Sequence, residues 1–179
     1  MNKAHALILA GIGTALATAA VAQQASQPAA MQATFVNREG QQVGRADLIQ
    51  TPNGVLMAVD VTGLPPGAHA LHFHQTGRCD PTTGFESAGG HFAPASNSHG
   101  YEVSGGPHAG DMPNEFVPQS GRLVAQVFNP NVTLRGGAGA LTDRDGSAIM
   151  IHASADDYES QPSGAAGDRL ACAVIPPAR

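Results

Sequence analysis

Residues 42–61 read QVGRADLIQTPNGVLMAVDV. The centre, Thr51-Pro-Asn-Gly54, is turn chemistry: Pro presets φ, while Asn and Gly tolerate the left-handed region. After it, Val55 to Val61 is an apolar run rich in β-branched residues with a period of two, the signature of a strand. Gln42 to Gln50 before it has the same character, so the stretch predicts strand, turn, strand. Working outward, the pattern recurs. Met31 to Val36 ends at the turn Asn37-Arg-Glu-Gly40. Leu64-Pro-Pro-Gly67 breaks the chain, and Ala68 to His74 resumes it. Gly121 to Asn129 follows, then a predicted hairpin of residues 139–142 with 147–152 around Arg144-Asp-Gly146, and finally Leu170 to Ile175. Short strands separated by turns predict an all-β chain, an antiparallel sandwich or barrel.

Composition agrees. The chain has 179 residues, enough for one domain with its own core. Its 22 Gly and 13 Pro favour turns over long helices. Charged residues make up 13%, which excludes a highly charged disordered tail or a coiled coil. A net charge of −5 excludes nucleic acid as a partner. Lys3 is the only Lys, and there are 8 His.

Residues 1–22 read as a secretory signal: Lys3, an apolar stretch from Ala6 to Ala20, and the small-x-small site Ala20-Val-Ala22. The alternative, a membrane anchor, is disfavoured by the short span rich in Gly, Ala and Thr. Cleavage after about Ala22 implies a periplasmic protein with no membrane attachment. Residues 23–29 read as a flexible lead-in to a domain over 30–179. Lys3 is the one charged residue of the signal, so its removal takes the net charge from −5 to −6. Cys79 and Cys172 both remain. In an exported chain they read as a disulfide pair, with two buried free thiols as the alternative.

Two segments lack strand character, about Gln75 to Gln119 and Ala153 to Asp168. A structureless loop of about 40 residues in a compact domain requires something to pin it, and a metal or a disulfide would serve. The histidines supply candidates. His72 and His74 are two apart on a strand, so both rings share a face and can grip one metal. His69 faces the other way and reads as a buried, hydrogen-bonded core residue. His91, His99 and His108, with Asp111, form a three-nitrogen, one-carboxylate set that suits zinc. His152 ends a strand and can complete a nitrogen-rich site with His72 and His74, a donor set that suits Cu(II).

Taken together, GAHALHFHQTGRC (67–79), AGGHFAP (88–94), HG (99–100), GPHAGD (106–111), IHASADD (151–157) and GDRLACAVI (167–175) resemble the copper/zinc superoxide dismutase family over the whole mature chain and in order. DMPN (111–114) and QPSGAAG (161–167) are similar to its bacterial periplasmic branch. The resemblance implies a Greek-key antiparallel β-barrel or sandwich of immunoglobulin-like type with two long functional loops. It implies antioxidant defence by dismutation of superoxide to dioxygen and hydrogen peroxide, with one copper and one zinc per chain. Copper would be held by His72, His74, His91 and His152, and zinc by His91, His99, His108 and Asp111. His91 would bridge the two and carry a proton to the product. Asp156 would orient one ligand of each metal, Cys79 and Cys172 would pair, and Arg169 would guide the anion.

There are departures. Ala93 stands where an Asn is common, at a position that is no ligand. The segment 153–168 carries Asp156, Asp157, Glu159 and Asp168 and no Lys, whereas animal members steer superoxide with lysines there. A chain of net charge −6 must therefore build its positive field from Arg169 and the metals. The runner-up function is a non-enzymatic copper- or zinc-binding protein on the same fold. Both a monomer and a homodimer are compatible with the sequence.

Overall fold

Val55, Met57, Val59 and Val61 are buried in strand β3 (Gly54–Val61), and Leu56, Ala58 and Asp60 are half-buried between them. One face of the strand lies on the core and the other on the surface, as the period of two requires. The structure, a computed structural model, describes residues 30–178. The expected signal and lead-in lie outside the described residues. Among these, no helix is long and apolar enough to cross a membrane.

The other strands are β1 (Ala30–Asn37), β2 (Gln42–Thr51), β4 (Gly67–His69), β5 (Leu71–His74), β6 (Glu115–Val117), β7 (Leu123–Asn129), β8 (Ser147–His152) and β9 (Arg169–Ile175). Seven form one curled antiparallel sheet in the order β5-β8-β9-β1-β2-β3-β7, and β4 pairs with β6. β3 pairs with β7 and β5 with β8, so long connections cross the ends, as the expected Greek-key fold requires.

Two expectations are corrected. Residues 139–142 do not form a hairpin with 147–152. Both edges of β8 are taken, by β5 and β9, so 139–142 folds back on Thr133 and Leu134 instead. The single strand expected over 68–74 is two, divided at Ala70. There the backbone leaves β4 and bonds to the segment after β8: the Ala70 N–H donates to Ser154 O, and the His152 N–H donates to Ala70 O.

The main core holds Phe35, Leu48, Met57, Phe73, Leu123 and Ile149. A second cluster of Phe85, Ala88, Ala148, Met150 and Cys172 lies on the opposite face of β8. All six residues of β8 are consequently buried. Phe85, fully buried, contributes roughly 1.5–3 kcal/mol to holding its loop down. The Cys79–Cys172 disulfide fastens that loop to β9. The long segment after β5 is therefore not structureless: it is stitched to β9 by sulfur, to β4 through β6, and to β5 at Phe73, whose N–H donates to Gly110 O and whose carbonyl accepts from Phe92 N.

Candidate metal centre

β5 fixes the origin of the site. Strand alternation puts the His72 and His74 rings on one face while Phe73 enters the core. Bridges from this strand bring in the loop, His74 opposite His91 and His72 opposite Asp111. β8 ends at His152, next to β5. The result is two clusters, each with its donor atoms within 4.8 Å of one another: His72, His74, His91 and His152, and His91, His99, His108 and Asp111. His91 belongs to both.

The orientation of each ring is set from behind. Carbonyl oxygens only accept, so His74 Nδ1 donates to Gly89 O at 2.9 Å and His152 Nδ1 to Gly167 O at 3.4 Å. Each ring then presents the lone pair of Nε2 forward, and the two Nε2 atoms lie only 3.3 Å apart. His72 Nε2 donates to Asp156 Oδ2 at 2.7 Å, which aims its Nδ1 at the same place. In the second cluster, His91 Nδ1 is 2.9 Å from Asp111 Oδ1 and 3.4 Å from His108 Nδ1. His99 Nδ1 is 3.1 Å from the same carboxylate, while His99 Nε2 donates to Asp156 Oδ1 at 3.0 Å.

Among the described residues, two buried side-chain atoms have no hydrogen-bond partner, His72 Nδ1 and His91 Nε2. Each unpaired polar atom costs about 1–3 kcal/mol. Lone pairs that converge without a proton between them add repulsion. A cation at the centre of the first cluster removes both penalties, so the residues fit a metal. Four imidazoles suit copper, and three imidazoles with one carboxylate suit zinc. Electrostatics agree. Burial pushes the His72 imidazole down to about 4 and His152 to about 3, and holds His74 well below 6.5. All three are neutral near pH 7, the state in which imidazole ligates. Burial opposes ionisation of Asp111, but hydrogen bonds with His91, His99 and the Gly100 N–H outweigh it and keep the carboxyl far below the usual range.

Asp156 touches both clusters through His72 and His99, and its own placement is tight. Gly164, at φ +70°, lies so close that a Cβ there would collide with Asp156 Oδ1. His69 stays outside the clusters, 2% exposed, with its ring nitrogens 2.7 Å from His152 O and 2.8 Å from Pro65 O. It is the buried, bonded histidine expected of that position.

The first cluster opens onto a cleft of about 540 Å³. His74, His91 and His152 line its floor and Arg169 its wall. Arg169 donates to Phe85 O at 2.7 Å and to Gly89 O at 2.9 Å, two carbonyls of the loop tied down by the disulfide. Two residues not singled out from the sequence also belong here. Arg38 lines the cleft, and Asn114 holds Asp156. Arg38 lies in the turn 37–40 and Asn114 ends the stretch DMPN, but only the fold brings each to its partner.

The sequence profile of copper/zinc superoxide dismutase matches residues 42–175. Superoxide dismutase [Cu-Zn] 2 of Aquifex aeolicus is 47% identical over 152 residues, covering 84% of this chain and 88% of its own. Superoxide dismutase [Cu-Zn] of Caulobacter vibrioides is 42% identical over 140 residues, covering 76% and 80%. Among solved structures, a SOD-like protein from Bacillus subtilis superposes with a TM-score of 0.77 at 36% identity, covering 80% of this chain and 97% of that one. The Cu/Zn superoxide dismutase from Brucella abortus gives 0.67 at 25% identity, covering 82% and 99%.

Proposed function

The chain belongs to the copper/zinc superoxide dismutase family, and on that premise we propose that His72, His74, His91 and His152 hold its copper and that His91, His99, His108 and Asp111 hold its zinc. The reaction is dismutation of superoxide to dioxygen and hydrogen peroxide, with copper and zinc as cofactors. Bound copper supplies the one-electron couple that takes an electron from one superoxide and gives one to the next, and zinc adds fixed charge without redox chemistry.

The observation that carries this reading is the double membership of His91, with Nε2 in one cluster and Nδ1 in the other. Nε2, whenever it is not ligating copper, would be the atom to hold the proton destined for peroxide, while Nδ1 beside Asp111 keeps the ring in place. Asp156 fixes His72 and His99 together. Arg169 binds and orients the anion at the wall of the cleft. Its two carbonyl bonds fix the guanidinium before substrate arrives, so little is lost in ordering it.

Metal titration tests the assignment. The native protein takes up one equivalent of each metal. His91→Ala weakens both, His74→Ala copper alone, and His108→Ala zinc alone. Retention of both metals by His91→Ala contradicts it. The Bacillus subtilis relative is named superoxide dismutase-like, which keeps a non-enzymatic metal-binding reading in view. Against it, both donor sets are complete here. Dismutation that is lost with a chelator and restored by both metals decides for the enzyme.

Export to the periplasm is supported by the signal character of residues 1–22 and by the Cys79–Cys172 bond, which belongs to oxidising compartments. Residues 30–179 then form the catalytic domain. A homodimer is supported by the apolar row Ile49, Leu56 and Phe128, aligned across β2, β3 and β7, with Ile49 and Phe128 exposed.

A further inference from the structure

We propose that Arg38 is a second anion-guiding cation of this enzyme, standing beside Arg169 at the mouth of the cleft and supplying the steering charge that the Lys-free segment 153–168 does not. The inference rests on the reading of this cleft as the route of superoxide.

Arg38 lies 131 residues from Arg169 in the chain, in the β1–β2 turn. The register of β1 on β9 brings them together: Phe35 faces Ala173, Val36 faces Cys172 and Asn37 faces Ala171. The residue that follows β1 thus meets the start of β9, and Arg38 Nη1 donates to the Arg169 carbonyl at 3.3 Å. The turn that carries it is held by Asn37 Oδ1, which accepts from the Glu39 N–H at 3.1 Å and the Gln41 N–H at 2.9 Å. Across the cleft mouth the guanidinium lies over Gly84, where a Cβ would stand 3.2 Å from it. Arg38 is thus carried by a hydrogen-bonded turn and tied to β9, and it lines the same cleft as His74, His91, His152 and Arg169.

The acids in this mouth are placed differently. Asp168 is 3.9 Å from Arg38, with its side chain 84% exposed, and Glu86 is 3.7 Å from Arg169, with its side chain 76% exposed. Pairs this exposed are weak and their carboxylates are free to turn into solvent. Arg169 is held by two carbonyls, and Arg38, with its side chain 43% exposed, by one bond to the Arg169 carbonyl. An approaching anion therefore meets two positive charges at the mouth of the cleft in a protein that is negative overall. Arg38 touches neither donor cluster, so its action is on encounter rather than on the metals.

The test compares native protein with Arg38→Gln, Arg38→Lys and Arg38→Glu, each loaded with copper and zinc. Two readings are taken across ionic strength: the rate constant for superoxide by pulse radiolysis, and the affinity for azide, a monovalent anion, by optical titration. At an ionic strength of about 0.01 M, where screening is weak, Arg38→Gln is expected to slow the reaction and weaken azide about two- to fivefold. Arg38→Glu is slower still, Arg38→Lys restores most of both, and the differences shrink as salt is added. Native rate and native azide affinity in Arg38→Gln overturn the proposal. So does a loss that is independent of salt and not restored by Lys, which marks a structural role. Absence of turnover in the native protein defeats the functional reading instead, and azide affinity then judges Arg38 by the same two outcomes.

Discussion

Asn114 and Asp156 hold each other by two reciprocal hydrogen bonds of 2.8 Å: Asn114 Nδ2 donates to the Asp156 carbonyl, and the Asp156 N–H donates to Asn114 Oδ1. The Tyr158 hydroxyl accepts from the Asn114 N–H at 2.7 Å. The carboxylate that orients His72 and His99 is thus locked to the strand side of the loop by its own backbone. Groups that orient metal ligands matter nearly as much as the ligands, and their loss costs about 10- to 100-fold in affinity. Asp156→Asn is expected to weaken both metals by that factor. Asn114→Ala is expected to weaken them in the same direction by about tenfold or less, since Asp156 remains but is less fixed. Competition with a chelator measures both. Equal affinities in Asn114→Ala and native protein contradict the linkage.

Asp111 is the one charged donor of the set proposed for zinc, and it also accepts from the Gly100 N–H at 3.0 Å and the His108 N–H at 2.9 Å. Asp111→Ala therefore removes a ligand and two ties of the loop. It is expected to lower zinc affinity strongly and leave copper largely in place, because Asp111 lies outside the four-imidazole set. Metal analysis after dialysis checks this, and unchanged zinc content excludes the role.

Acid should destabilise the metal-free protein. An unfolded His takes up its proton near 6.5. Burial keeps His72 neutral down to about 4, His152 down to about 3, and His74 to well below 6.5. Between those values the unfolded state binds more protons, so stability rises with pH and falls as pH drops below about 6.5. His99 has the opposite sign: burial works against charging it, but hydrogen bonds to Asp111 and Asp156 outweigh that and raise its pKa. His108 is lowered by burial as well, so four histidines act against one and the net effect near pH 5 is a loss of stability. Calorimetry of metal-free protein at pH 7 and pH 5 reads it as a lower Tm at pH 5. A Tm that is flat or higher at pH 5 contradicts it.

The Cys79–Cys172 bond joins residues 93 apart and holds the loop whose carbonyls at Phe85 and Gly89 anchor Arg169. Closing a chain of that length contributes about 4–5 kcal/mol by restricting the unfolded state. Reduction is expected to lower Tm and slow dismutation together. Equal thermal stability once the thiols are shown to be free contradicts the assignment.

Much of this was legible in the sequence, for physical reasons. β3 was readable because one of its faces is core, so the period of two survives. The two clusters were foreshadowed because His72 and His74, two apart on a strand, share a face, and the resemblance supplied the rest of each set, His91 above all. What the sequence hid depends on partners far along the chain. Residues 139–142 are apolar enough for a strand, but β8 had no free edge to pair with. β6, in the middle of the long loop, exists only because β4 offers it three partners. Arg38 and Asn114 look like ordinary turn and loop residues until the β1–β9 register and the fold of segment 153–168 place them.

Arg169 is the basic residue fixed in the cleft wall, donating to two carbonyls. A charge-assisted hydrogen bond to the anion is worth roughly 1.5–3 kcal/mol. Arg169→Ala is therefore expected to slow dismutation about ten- to a hundredfold with metal content unchanged. Arg169→Glu should be slower still. A native rate in Arg169→Ala contradicts its role as the anion guide.

The most direct test of the whole account is pulse radiolysis of the native protein carrying one copper and one zinc per chain. Superoxide is expected to disappear in a process first order in superoxide and proportional to protein, far faster than in buffer alone. Folded, fully metallated protein that leaves superoxide to decay at the rate of buffer alone would contradict it.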